Sequence, residues 1–236
     1  MKKLLLTTLL FSAATAAQDL SWTELNKYTI ASEKSYDYSA HAADYMKSFQ
    51  RAKFDKYHLD EFEFDSKKNE TASQMKEMAK AFNLEQLYTI NANVWFGQYN
   101  FEKGEFPITF TKVPSDVTTE NMPAIYPDGL FYNFTPDYPE SSSDSFRYNV
   151  RVKLKNTDKL SGIKLDKEKA KAFLQSHKSG DWINRSLPIT VTVKIKNVAL
   201  NDQSNDVSDA DVEITKAVIF SDDKRNKILS QQDLNK

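Results

Sequence analysis

The hydrophobic period of this chain changes near Leu87, and that change limits the fold more than any other feature. Before it, Tyr38, Ala42, Tyr45, Met46 and Phe49 recur at i, i+4, i+7, i+8 and i+11, one stripe of a 3.6-residue helix. Ser35, Asp37 or Ser39 can cap its start. A second helix is predicted from Ser66 to Phe82, with Ala72, Met75, Met78, Ala79 and Phe82 on one face. Between the two, Leu59 to Asp65 alternates apolar and acidic residues, a pattern that predicts a short strand or an extended linker.

From Leu87 onward the period is two. Tyr88, Ile90, Ala92, Val94 and Phe96 share one face, and Trp95, Tyr99 and Phe101 take the other. Glu102-Lys103-Gly104-Glu105 predicts a hairpin turn, with Phe106 to Lys112 as the returning strand. Five of the seven prolines fall between residues 113 and 144, a loop-rich region with one aromatic strand at Leu130 to Phe134. Phe146, Tyr148, Val150, Val152 and Leu154 then alternate with Arg147, Asn149, Arg151 and Lys153. Asp166 caps a helix running to His177, with Leu165 and Ala170 placed for a hydrophobic staple, and Ser179-Gly180 is expected to stop it. Ile189, Val191, Val193 and Ile195 mark another strand, with lysines on its far side. Asn201 to Asp209 reads as a polar turn, and Val212 to Phe220 as the last strand. The charged tail from Ser221 is expected to be partly helical or frayed.

The predicted fold class is α+β: N-terminal helices packed on one or two mostly antiparallel sheets, with one helix inserted between late strands. Residues 17–236 are expected to form one domain, with the polar run Ser141-Ser142-Ser143-Asp144 as the candidate for a sub-boundary within it.

The first residues concern destination. Lys2 and Lys3 form a positive start, Leu4 to Phe11 a short apolar run, and Ala14-Thr15-Ala16 a small-residue cleavage site. The run is shorter than the about 20 apolar residues that span a bilayer. A cleaved signal peptide over residues 1–16, cut at Ala16–Ala17, is therefore expected, with release to the periplasm or beyond it. Removing two lysines takes the net charge from −1 to −3. That balance offers no basic face for nucleic acid, and no later segment is apolar enough to cross a membrane. The chain has no cysteine, which excludes disulfides, a thiol nucleophile and thiolate metal sites.

The stretch from Ala92 to Pro107, ANVWFGQYNFEKGEFP, resembles the central signature of a family of exported bacterial proteins built on a domain of unknown function. The segment Ala170 to Phe173, followed by Arg185, is similar too. The resemblance implies bacterial export and a mostly β domain, and it carries no catalytic residue.

No residue pattern points to catalysis or to a cofactor. The histidines His41, His58 and His177 share no metal-binding spacing. The acidic run Asp60, Glu61, Glu63, Asp65 reads as a solvated strand edge rather than a calcium loop. Asp202, Ser204, Asp206, Ser208 and Glu213 follow calcium-loop offsets, but Val207 stands where the turn needs glycine. The aromatic cluster Trp95, Tyr99, Tyr126, Phe131, Tyr132 and Tyr138 is the one feature above background. It predicts either a stacking platform for a glycan, a peptide or an envelope protein, or simply core. Core is the favoured reading, since aromatics supply much of the buried area in a chain without disulfides. The expected function is a non-enzymatic binding or interaction module. A cell-envelope hydrolase working on glycan or peptide through paired carboxylates is the alternative. Pairing of a partner along the lysine-bearing strand 189–196 is a third.

Overall fold

The change of period near Leu87 separates a helical layer from a sheet. The computed structural model describes residues 17–109, 125–126, 129–134, 148–200 and 207–235. The expected leader, the 141–144 break and most of the 201–209 turn lie outside these residues. After a short strand β1 (Gln18–Asp19) come four helices: α1 (Trp22–Ser32), α2 (Tyr38–Phe49), α3 (Arg51–Tyr57) and α4 (Glu61–Ala81). Side chains cap three of them: Ser21 accepts from the Glu24 amide, Asp37 from Ser39 and Ala40, and Asp60 from Phe62 and Glu63. The predicted stripe of α2 faces inward: Ala42 and Met46 are buried, and Phe49 stacks on Trp22 of α1 at 5.0 Å between ring centroids.

The alternation from Leu59 to Asp65 is not a strand or a linker. Asp60 is an N-cap, and Glu61 and Glu63 lie in the first turn of α4, where carboxylates complement the helix dipole. A strand would need a face to bury, yet Leu59 and Phe62 are each 88% exposed. The acidic run is therefore a helix start.

The strands are β2 (Leu87–Phe96), β3 (Glu105–Phe106), β4 (Ile108–Thr109), β5 (Ile125–Tyr126), β6 (Gly129–Phe134), β7 (Tyr148–Leu154), β8 (Ile163–Lys164), β9 (Lys178–Ser179), β10 (Trp182–Ile183), β11 (Ser186–Leu200), β12 (Val207–Phe220) and β13 (Ile228–Asp233). The inserted helix α5 (Lys167–Ser176) follows β8 and is capped by Asp166, as predicted. The main sheet runs β1-β2-β11-β12-β7-β6-β5, with β4 added to β2 and β13 to β12. Only the β1–β2 and β7–β12 pairings in it are parallel. β5, at the far end of that order, comes back to within 8 Å of β2 between Cα atoms, so the sheet is curled.

The inner face carries the core: Tyr88 to Phe96 from β2, Leu187 to Ile195 from β11, and Ala210, Val212, Ile214, Ala217 and Ile219 from β12. On β12 the inward residues switch from even to odd numbers. Thr192 pairs with Lys216 but Val193 with Ile214, leaving Thr215 as the extra residue of a β-bulge. Helix α1 contributes Trp22, Leu25 and Tyr28 to the same core. The Tyr28 hydroxyl donates to the Lys196 carbonyl at 3.1 Å.

Three expectations need correction. The tail from Ser221 is neither helical nor frayed, because β13 pairs with β12 from Lys216 to Phe220. Ser179-Gly180 does not terminate α5. It opens a β-hairpin, with Ser179 opposite Trp182 and Gly180 at φ +61°, a conformation glycine adopts freely. Strand 189–196 is not an edge, since β2 and β12 pair along both its sides. Its lysines point outward instead, Lys196 to Glu213 at 2.8 Å and Lys194 to Glu85.

The outer edge of β12 is covered in two halves. β7 pairs with residues 209–212 and β13 with residues 216–220. Asn156 bridges the gap. Its side chain donates to the Ile214 carbonyl and accepts from the Ile214 amide, each at 2.8 Å, in place of a strand's backbone.

Candidate functional site

Strand register gathers several elements at one end of the sheet. Trp95 lies opposite Ser186, Ile189 opposite Ile219, and Phe220 opposite Ile228. The C-terminal ends of β2 and β12 therefore meet the N-terminal ends of β11 and β13. The hairpin that follows β2 and the β9–β10 hairpin that precedes β11 both project from this end.

Both hairpins stand on a nest of aromatic rings. Phe96, Phe106 and Phe173 are buried and lie 5.2 to 5.5 Å apart between centroids. His177 closes the nest, 4.3 Å from the Phe173 ring, with its Nδ1 2.9 Å from the Phe173 carbonyl. Such ring pairs contribute about 0.5–1.5 kcal/mol beyond their buried area. The Arg185 guanidinium lies 5.3 Å over Phe96 and donates to the Gly97 carbonyl. It ties the first hairpin to the chain leaving the second. Tyr99 donates its hydroxyl to the Leu165 carbonyl at 2.7 Å, and the Leu165 amide donates to Gly104. Asn100 accepts from the amides of Glu102 and Lys103, and Gly104 takes φ +64°, so the predicted turn forms. β3 and β8 approach so closely that a Cβ on Gly162 would sit 2.9 Å from the Phe106 carbonyl.

Above this rigid base, large apolar side chains face solvent. Phe101 is 75% exposed on the first hairpin, and Trp182 is 60% exposed on the second. Ile228, at the start of β13, is 60% exposed as well. Sequence reasoning placed Phe101 on a strand face and passed over Trp182. The Gly180-Asp181 pair ahead of Trp182 was the available signal, because such a dipeptide between short strands marks a hairpin.

The described residues of the predicted aromatic cluster, read as either core or platform, are spread along the chain from β2 to β6. Trp95 is half-buried on the face of β2 away from the core. Tyr99 is half-buried, and its hydroxyl is committed to Leu165. Tyr126 lies in β5, and Phe131 and Tyr132 in β6, while Tyr138 lies outside the described residues.

The outward side of the sheet carries a row of ion pairs. Asp209 accepts from Arg151 at 2.6 Å and sits 3.1 Å from Lys153, and Lys155 reaches Asp211 at 2.9 Å. The Arg151 hydrogen bond holds Asp209 below the usual carboxylate range, and Lys196 does the same to Glu213. Glu70 of α4, held by Lys67 and then Lys53, is pulled down to about 2. Among the described residues no group of three or more histidines or acids could hold a metal ion. Glu213, the last residue of the predicted calcium-loop pattern, is paired with Lys196.

Comparison with curated proteins and with solved structures gives no match. Residues 37–176, more than half of the chain, match a family described as Domain of unknown function (DUF4852). The match includes the Ala92–Pro107 stretch and the α5 residues Ala170 to Phe173, and ends before Arg185. The chain therefore belongs to the DUF4852 family.

Proposed function

We propose that this chain is an exported, non-enzymatic binding module whose recognition surface is the sheet end bearing Phe101 and Trp182. The observation that carries the reading is the pairing of exposed side chains with a hydrogen-bonded, ring-packed base. Two large aromatic side chains stay in water on short hairpins clamped by Arg185, Tyr99 and a buried ring cluster. Exposed aromatics on a preorganised base are what binding surfaces present, because little ordering entropy remains to oppose association. Export rests on the leader pattern of residues 1–16. The partner class is a component of the cell envelope: protein, peptide, glycan or lipid.

The hydrolase alternative draws less support. It rests on the abundance of acidic residues alone, with no motif in the sequence that singles out a carboxylate pair.

The test expresses the full chain, recovers the exported product and reads its N-terminus by mass spectrometry. The expected mass begins at Ala17. Wild type and a Phe101→Ser, Trp182→Ser double variant are then used to capture components of an envelope extract. Capture lost in the variant supports the module. Equal capture by both, or a product retaining Met1, overturns it.

A further inference from the structure

We infer that the sheet end bearing Phe101, Trp182 and Ile228 seats on the surface of an anionic lipid bilayer. This inference deepens the binding-module reading and rests on it. Phe101 and Trp182 stand on two hairpins and Ile228 at the start of a strand, and register places all three at one end of the molecule. A partner that meets three separated apolar side chains at once is an extended surface. A bilayer interface is such a surface, and Trp and Phe partition into its headgroup region.

Charge points the same way. Residues 161–185, which hold α5 and the second hairpin, carry six Lys or Arg against three acids. Residues 221–228 carry three against two, and the hairpin 97–108 carries one against two. This end is therefore net +3 in a chain whose total is −1. Among the described residues Lys167, Lys171 and Lys178 are exposed and form no ion pair, so their charge is available to an anionic surface. A second copy of the chain fits poorly, because it would bring two cationic ends together. A glycan fits poorly as well, because Ile228 offers no ring to stack on.

The test uses vesicles of equal phosphatidylglycerol and phosphatidylcholine, with pure phosphatidylcholine vesicles as control. Exported wild-type protein is expected to sediment with the anionic vesicles and to be released by salt. The Phe101→Ser, Trp182→Ser, Ile228→Ser variant, with unchanged circular dichroism, is expected to bind at least about tenfold more weakly. Tryptophan emission is expected to shift to the blue on binding in wild type and not in Trp182→Phe. Absence of sedimentation, equal binding by the variant, or a shift retained in Trp182→Phe overturns the lipid assignment. Envelope-extract capture separates the two readings. Loss of vesicle binding with capture still dependent on Phe101 and Trp182 removes the lipid and keeps the module, whereas loss of both removes both.

Discussion

Asn156 is the residue on which the sheet's continuity turns. Its amide occupies both backbone groups of Ile214 where neither β7 nor β13 reaches, and it is only 5% exposed. Asn156→Ala leaves a buried donor and a buried acceptor unpaired, at about 1–3 kcal/mol each before relaxation. The expected loss is about 2–4 kcal/mol, read as a lower urea midpoint with an unchanged m-value. Glu70 gives a second prediction. Its folded pKa of about 2 lies below its ordinary 4.5, so its contribution to stability is present above that range and is lost as pH falls through 2. Thermal midpoints are therefore expected to fall between pH 4.5 and 2, and Glu70→Gln to flatten part of that fall. Neither role was legible in the sequence. Asn156 stands in a stretch with no periodic signal, and its partner lies 58 positions away.

Elements were more legible than their boundaries. The stripe of α2, the cap of α5 and the inward face of β2 follow directly from period and capping chemistry. The start of α4 did not, because the apparent alternation from Leu59 to Asp65 resembles a strand when the cap at Asp60 is overlooked. The bulge in β12 was visible as a slip of phase, from Val212 and Ile214 to Ala217 and Ile219. It sets up a contrast between two single-residue deletions. Removing Thr215 restores strict alternation and keeps the same residues inward, so the protein is expected to fold with a reduced melting temperature. Removing Val191 from the regular part of β11 turns Thr192 and Lys194 toward the core, and no folded protein is expected. Circular dichroism and soluble yield distinguish the two outcomes.

At the scale of the whole molecule, class was legible and lateral order was not. Alternation tells which side of a strand is buried, but it does not tell which strand lies beside it. The lysines of β11 suggested an edge, yet they sit on the outward face of an interior strand and pair with Glu85 and Glu213. The candidate site was less legible still. Its exposed apolar side chains come from two hairpins and a strand start that lie far apart in the chain and meet only through register. The same register has a consequence for the order in which the protein is made. β2 acquires its main ladder partner, β11, only about a hundred residues later, and β12 acquires β13 later still. During synthesis β2 therefore waits for its main partner while β6 and β7 pair locally, and the sheet is completed only after β13 emerges. A ribosome-bound chain that stops short of β11 holds its helices and the β5–β6–β7 pairings but has no long strand on which to close the main sheet.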